Sequence, residues 1–147
     1  MAVKPIPDEY PRVTPYLIVE NVGNLMNFLT EVFDAVPGEK MTLPDGSINH
    51  GEVRIGDSVI MMGKANKDNP PVPVMLYIYV ENVDQTYDKA IKTGAKSIMK
   101  PADQFYGDRT AAVADPSGNS WWMASHVEDI SPEEMQRRNE ERAKRLS

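Results

Sequence analysis

The chain has no cysteine. That single absence removes disulfides, zinc–thiolate centres and thiol catalysis together. Histidine is nearly absent too: His50 and His126 are the two in 147 residues. The longest apolar runs are strand-sized, so no segment is built to span a bilayer. No basic cluster stands out in the body of the chain, and the net charge is −6. Nucleic acid is therefore not the expected partner. A glycine-rich phosphate loop in a strand–loop–helix setting is missing, which argues against nucleotide cofactors. Gly-x-Ser-x-Gly is missing as well, and neither histidine has the context of a catalytic triad. The first ten residues contain Lys4, Asp8 and Glu9 and no apolar segment, so no secretory signal is expected there. These absences predict a cytoplasmic protein that contacts neither membrane nor nucleic acid.

What is present is a repeat. Tyr16-Leu17-Ile18-Val19-Glu20-Asn21-Val22 returns 61 residues later as Tyr77-Ile78-Tyr79-Val80-Glu81-Asn82-Val83. After the first copy, Leu25, Phe28, Leu29, Val32 and Phe33 fall on one helical face; after the second, Val83, Tyr87, Ala90 and Ile91 do so. Gly94 suits the position just past the second helix, where positive φ is common. A third match, at an offset of 62, sets Gly56-Asp57-Ser58-Val59-Ile60-Met61 against Gly118-Asn119-Ser120-Trp121-Trp122-Met123. Three matches in one order predict two copies of one module, with a site between them.

The expected elements follow. Residues 1–11, with Pro5, Pro7 and Pro11, are an extended lead-in. Strand one covers Val13 to Val19 and helix one Leu25 to Phe33. Leu43-Pro44-Asp45-Gly46-Ser47 is a turn. Ile48 to Ile55 and Ser58 to Met62 form a hairpin about Gly56-Asp57. Residues 64–73 read as the linker. Val74 to Val80, a helix over Asp84 to Thr93, and strands at Lys96 to Met99, Thr110 to Ala114 and Ser120 to Ser125 complete module two. The Ser131-Pro132-Glu133-Glu134 run starts a last helix, with Ser at the N-cap and Pro at N1. That helix is either a solvated tail or an arm that packs on a partner subunit.

The organisation is therefore one domain over 1–127, comprising module one (about 12–63), a linker (64–73) and module two (about 74–127), followed by a helical tail over 128–147. The fold class is α+β: two βαβββ modules forming curved mixed sheets around a cleft, plus a C-terminal helix.

Several stretches sharpen this into a resemblance. They are Val13-Thr14-Pro15-Tyr16-Leu17, Gly51-Glu52-Val53-Arg54-Ile55-Gly56-Asp57-Ser58, Asp103-Gln104-Phe105-Tyr106-Gly107-Asp108-Arg109, Asp115-Pro116-Ser117-Gly118-Asn119-Ser120-Trp121 and His126-Val127-Glu128-Asp129. The chain resembles the vicinal oxygen chelate superfamily, which includes glyoxalase I, bleomycin-resistance proteins and extradiol dioxygenases, and within it the PhnB-like branch. The resemblance implies a cleft, a homodimer and, in catalytic members, a divalent metal held by His, Gln or Glu. It puts the ligand positions at or next to Pro15, near Met75 and at Trp122. Proline has no side-chain donor, and thioether and indole are poor ligands for a hard cation. No metal and no other cofactor is therefore expected at that site.

His50 and Glu52, at i and i+2, share a strand face and could begin a shifted metal site. A third ligand would be needed; otherwise they are hydrogen-bonded groups on the sheet and His126 caps a strand end. In the Gln104–Arg109 stretch, Arg109 either takes an anionic group bidentately at the cleft mouth or pairs with Asp108. Tyr106 either stacks on a ligand or fills the core. Trp121 and Trp122 must face opposite ways, with Trp122 on the cleft side. The candidate ligand-binding set is His50, Glu52, Met75, Tyr77, Gln104, Tyr106, Arg109 and Trp122. It predicts metal-free binding of a small planar or aromatic molecule. The alternative is a divalent-metal lyase, isomerase or dioxygenase using His50 and Glu52, and a third reading is a dimerisation module without ligand.

Overall fold

A computed structural model describes residues 2–146. Met1 and Ser147, the ends of the expected lead-in and tail, lie outside the described residues. The chain divides into two compact units. One runs through Val74 and includes the turn Asp115–Asn119; the other takes Met75–Ala114 and the chain from Ser120 onward. Each contains a four-stranded mixed sheet, and the fold class is α+β.

In the first unit, β1 (Tyr16–Val19), α1 (Val22–Phe33), β2 (Val36–Thr42), β3 (Ile48–Ile55) and β4 (Ser58–Lys64) give the sheet order β1-β4-β3-β2. β1 pairs parallel with β4, and the other pairs are antiparallel. In the second unit, β5 (Met75–Tyr79), α2 (Val83–Lys92), β6 (Lys96–Asp103), β7 (Asp108–Ala114) and β8 (Ser120–His126) repeat the plan as β5-β8-β7-β6. The helix α3 (Pro132–Leu146) follows. No helix of the described residues is long and apolar enough to cross a membrane.

The repeated Val-Glu-Asn-Val has a mechanical purpose. Asn21 and Asn82 are the N-caps of α1 and α2, and their side chains accept from the backbone N–H of Asn24 at 2.9 Å and of Gln85 at 3.1 Å. Each satisfies one of the helix's unpaired first-turn donors. α1 ends on Asp34 in the left-handed region (φ 55°), and α2 ends just before Gly94 at φ 105°. α1 buries Val22, Leu25, Met26, Phe28, Leu29, Val32 and Phe33. Gly51 on β3 lets the helix approach, because a Cβ there would stand 2.6 Å from the Met26 sulfur.

Three expectations need correction. β1 begins at Tyr16 rather than Val13, since Pro15 has no N–H to give a ladder. β2 was not foreseen. All seven of its residues are exposed, so it carries no alternating apolar signal. β6 runs on to Asp103 with register shifts on the β7 side, as Pro101 permits in an edge strand. The third sequence match is also one residue out of register. Tyr16 stands opposite Met61 and Tyr77 opposite Trp122, so the counterpart of Met61 in the second ladder is Trp122 rather than Met123. The two-residue turn at Gly56-Asp57 becomes five residues at 115–119.

Candidate ligand-binding site

Each sheet has one face under its helix and one face without a helix. In the second unit, Leu76, Trp121 and Val113 lie in one cross-strand row, and Trp121 and Val113 are buried. Alternation then puts Met75, Tyr77 and Tyr79 on the other face of β5, with Trp122 opposite Tyr77. The contrast within the tryptophan pair is sharp: Trp121 is 1% exposed, whereas Trp122 is only half-buried. Met75 is 63% exposed, Tyr77 42% and Tyr79 64%. That is an exposed apolar and aromatic surface on the edge strand β5 and its neighbour β8.

A buried carboxylate fixes this surface. Asp108, at the start of β7, is 4% exposed. Its Oδ2 accepts from the Tyr77 hydroxyl at 2.7 Å and the Tyr79 hydroxyl at 3.0 Å. Its Oδ1 faces His126 Nδ1 at 3.0 Å, across the β7–β8 ladder. His126 Nε2 meets Asp129 at 2.8 Å. Burial works to raise the Asp108 pKa, but the hydrogen bonds from His126, Tyr77 and Tyr79 outweigh it and hold the carboxyl below its ordinary value. The same bonds to Asp108 and Asp129 raise the His126 pKa. Burial and the hydrogen bonds to Asp108 and Tyr106 push the Tyr77 phenol far up, so it stays a neutral donor. The Tyr77 and Tyr79 rings meet edge to face at 5.5 Å, and Tyr106 packs edge-on to Phe105 at 5.3 Å.

Met75, Tyr77, Tyr106 and Trp122 thus belong to one neighbourhood in the second unit. Arg109 does not. It follows Asp108 on the strand and points to the other face, where its guanidinium grips Asp84 of α2 at 2.8 and 2.9 Å and Asp103 at 3.2 Å. Gln104 turns toward α3 and lines a groove of about 480 Å³ with Phe105 and four arginines of that helix. His50 and Glu52 share a face of β3 in the first unit. The Tyr16 hydroxyl lies 3.1 Å from His50 Nδ1, and the Tyr10 hydroxyl donates to Glu52 Oε1 at 2.8 Å. No group of three or more His, Asp or Glu among the described residues is placed to hold a metal ion. The donors present therefore do not fit a divalent ion.

Sequence reasoning missed Asp108, Tyr79 and His126 as one network. One signal was available: adjacent strand residues face opposite ways, so Asp108 and Arg109 cannot pair across one face. The Asp108–His126 pairing depends on register, which no local pattern reveals.

The sequence profile of the glyoxalase/bleomycin resistance protein/dioxygenase superfamily matches residues 11–123. The chain belongs to this superfamily. An uncharacterized protein of Mycobacterium tuberculosis is 29% identical over 140 residues, covering 86% of this chain and 81% of the relative. TioX from Micromonospora sp. ML1 shares the fold at a TM-score of 0.68 and 18% identity, over 80% of this chain and 99% of that one. The PhnB protein from Bacillus cereus, described as a putative 3-demethylubiquinone-9 3-methyltransferase, does so at 0.63 and 18%, over 78% and 99%. At these identities the structural likenesses establish the fold alone.

Proposed function

We propose that this superfamily member binds a small planar, aromatic molecule without a metal ion, on the helix-free face of the second sheet. The observation that carries this reading is the exposed Met75–Tyr77–Trp122 surface, with Tyr77 and Tyr79 anchored on the buried carboxylate of Asp108. Large exposed apolar patches on a soluble fold mark binding surfaces. Two tyrosines held by one acceptor lose little further freedom when a ligand stacks on them, so less of the contact energy is spent on ordering. Thioether and indole supply polarizable, flat contact area. Tyr106, beside Tyr77, extends the surface. His50 and Glu52, on one face of the first sheet, are proposed as polar ligand contacts of that sheet by itself. Gln104 and Arg109 do not join this surface, because one faces α3 and the other is held by Asp84 and Asp103.

The same reading places the protein in the PhnB-like branch, working as a homodimer in the cytoplasm. A metal-dependent lyase or dioxygenase is the weaker reading, since the available imidazoles already face Tyr16, Asp108 and Asp129.

Thermal-shift screening of planar aromatic compounds in the presence of chelator tests the proposal. At least one chemotype should raise the Tm of the wild type and fail to raise that of Tyr77→Ala. Stabilisation that requires added metal, or that persists in Tyr77→Ala, would overturn it.

A further inference from the structure

Within the second unit, the turn between β6 and β7 and the helix α3 line a groove of about 480 Å³. Its charged lining is four arginines against Glu141, a net of +3 on a chain whose own net charge is −6. Like charges gathered in a concave surface concentrate the potential there and draw in ions of the opposite sign.

The donors of the groove are not equally occupied. All three guanidinium nitrogens of Arg137 bond to Glu134 and Glu141, at 2.6 to 3.0 Å. Those of Arg138 go to Glu134, Glu128 and the Phe105 carbonyl, at 2.8 to 3.2 Å. Arg145 uses one nitrogen, on Glu141 at 3.1 Å. Arg142 has no acidic partner among the described residues, and its guanidinium lies over the Phe105 ring, 5.3 Å from the centroid. A guanidinium stacked on an aromatic face has its plane set and its N–H edge free, which suits a two-bond grip on a phosphoryl group. Gln104, half-buried in the same lining, offers a side-chain amide that has no hydrogen-bond partner among the described residues.

The platform under Arg142 is held in place. The Gln104 N–H donates to the Asp108 carbonyl at 2.8 Å, and the Gly107 N–H to the Gln104 carbonyl at 3.2 Å. Gly107 has φ 95°, and a Cβ there would collide with the Glu128 carbonyl. The Val127 and Glu128 N–H groups both donate to the Gly107 carbonyl, which ties the approach to α3 to this turn. Arg138, Arg142 and Arg145, at i, i+4 and i+7, share one helix face, and the Arg138 bond to Phe105 sets that face against the turn.

We infer that this groove is a second binding site, that its ligand is a small molecule bearing a phosphate group with two or more negative charges, and that Arg142 and Gln104 donate to that group. Arg109, where the sequence pointed to an anion, is already occupied by Asp84 and Asp103; Arg142 is the arginine left open. A compact ligand fits better than an extended polyanion, because Glu133 and Glu140 stand exposed on α3 outside the groove and would repel one. The site goes beyond the planar-ligand surface and uses none of its exposed Met75, Tyr77 and Trp122.

Calorimetric titration of the full chain at low ionic strength tests the inference, with sodium pyrophosphate as the probe and sodium acetate as a singly charged comparison. The wild type should bind pyrophosphate saturably and at least about tenfold more tightly than acetate. Arg142→Gln should lose about tenfold, the usual cost of a charge-assisted hydrogen bond. Gln104→Ala should weaken binding several-fold. Lys144→Gln makes the same charge change on the same helix outside the groove and should leave the affinity within about twofold. No saturable binding, equal affinity for acetate, unchanged affinity in Arg142→Gln or Gln104→Ala, or equal weakening in Arg142→Gln and Lys144→Gln would overturn the inference. Binding of polyuridylate with none of pyrophosphate would overturn it in favour of a nucleic-acid partner.

Discussion

Asp108 concentrates the chemistry of the second sheet on one side chain. Removing it as Asp108→Ala leaves two tyrosine hydroxyls and an imidazole without their acceptor. Loss of several bonds to a buried charged group should destabilise the fold by about 3 kcal/mol or more, measurable by urea denaturation. The pH dependence has a definite sign. His126 has a raised pKa, so its bonds contribute fully below its unfolded value of about 6.5 and are lost as pH rises through the folded value. Asp108 has a lowered pKa, so its contribution is present above about 3.9 and is lost as pH falls through the folded value. The stability gap between wild type and His126→Gln should therefore be widest from about pH 4 to 6.5 and should shrink on the alkaline side. A gap that widens with rising pH would reverse the assignment. At this scale the sequence was only partly legible. Alternation along β5 and β8 sorts Tyr77 from Ile78 and Trp121 from Trp122, but nothing local says that Asp108 will stand opposite His126.

The helices were the most legible elements, because apolar spacing and caps are local. The Asn of the repeat shows how a motif read as a pattern turns out to be a capping device. Asn21→Ala and Asn82→Ala should each cost about 1 kcal/mol, measurable as a lowered midpoint in chemical denaturation. The edge strands were the least legible, and β2 has no buried residue to announce it. α3 buries none either. It is held by ion pairs within itself and by Arg138, which reaches Glu128 at 2.8 Å and the Phe105 carbonyl at 3.1 Å. Glu134 pairs with Arg137 and Arg138, which bring its pKa down to about 2. Exposed pairs of this kind contribute little. Truncation after Ile130 should therefore lower the Tm by only a few degrees and leave the second sheet folded, as circular dichroism would report. Collapse of the fold would mean that the helix carries packing energy these contacts do not explain.

For the chain as a whole, the duplication was the part of the fold most directly written in the sequence. It named two βαβββ units and set Tyr77 and Trp122 within one of them. It could not give the register between strands to the residue: the sequence match pairs Met61 with Met123, and the ladders pair its place with Trp122. The central claim is that the helix-free face of the second sheet receives a planar molecule. The two tryptophans make that claim directly measurable, because Trp121 is buried under the helix and Trp122 is on the open face. Tryptophan emission should be followed while a thermal-shift hit is titrated into Trp121→Phe and Trp122→Phe. The prediction is saturable quenching in Trp121→Phe, where Trp122 is the reporter, and none in Trp122→Phe. Equal quenching in both variants, or quenching confined to Trp122→Phe, would contradict it.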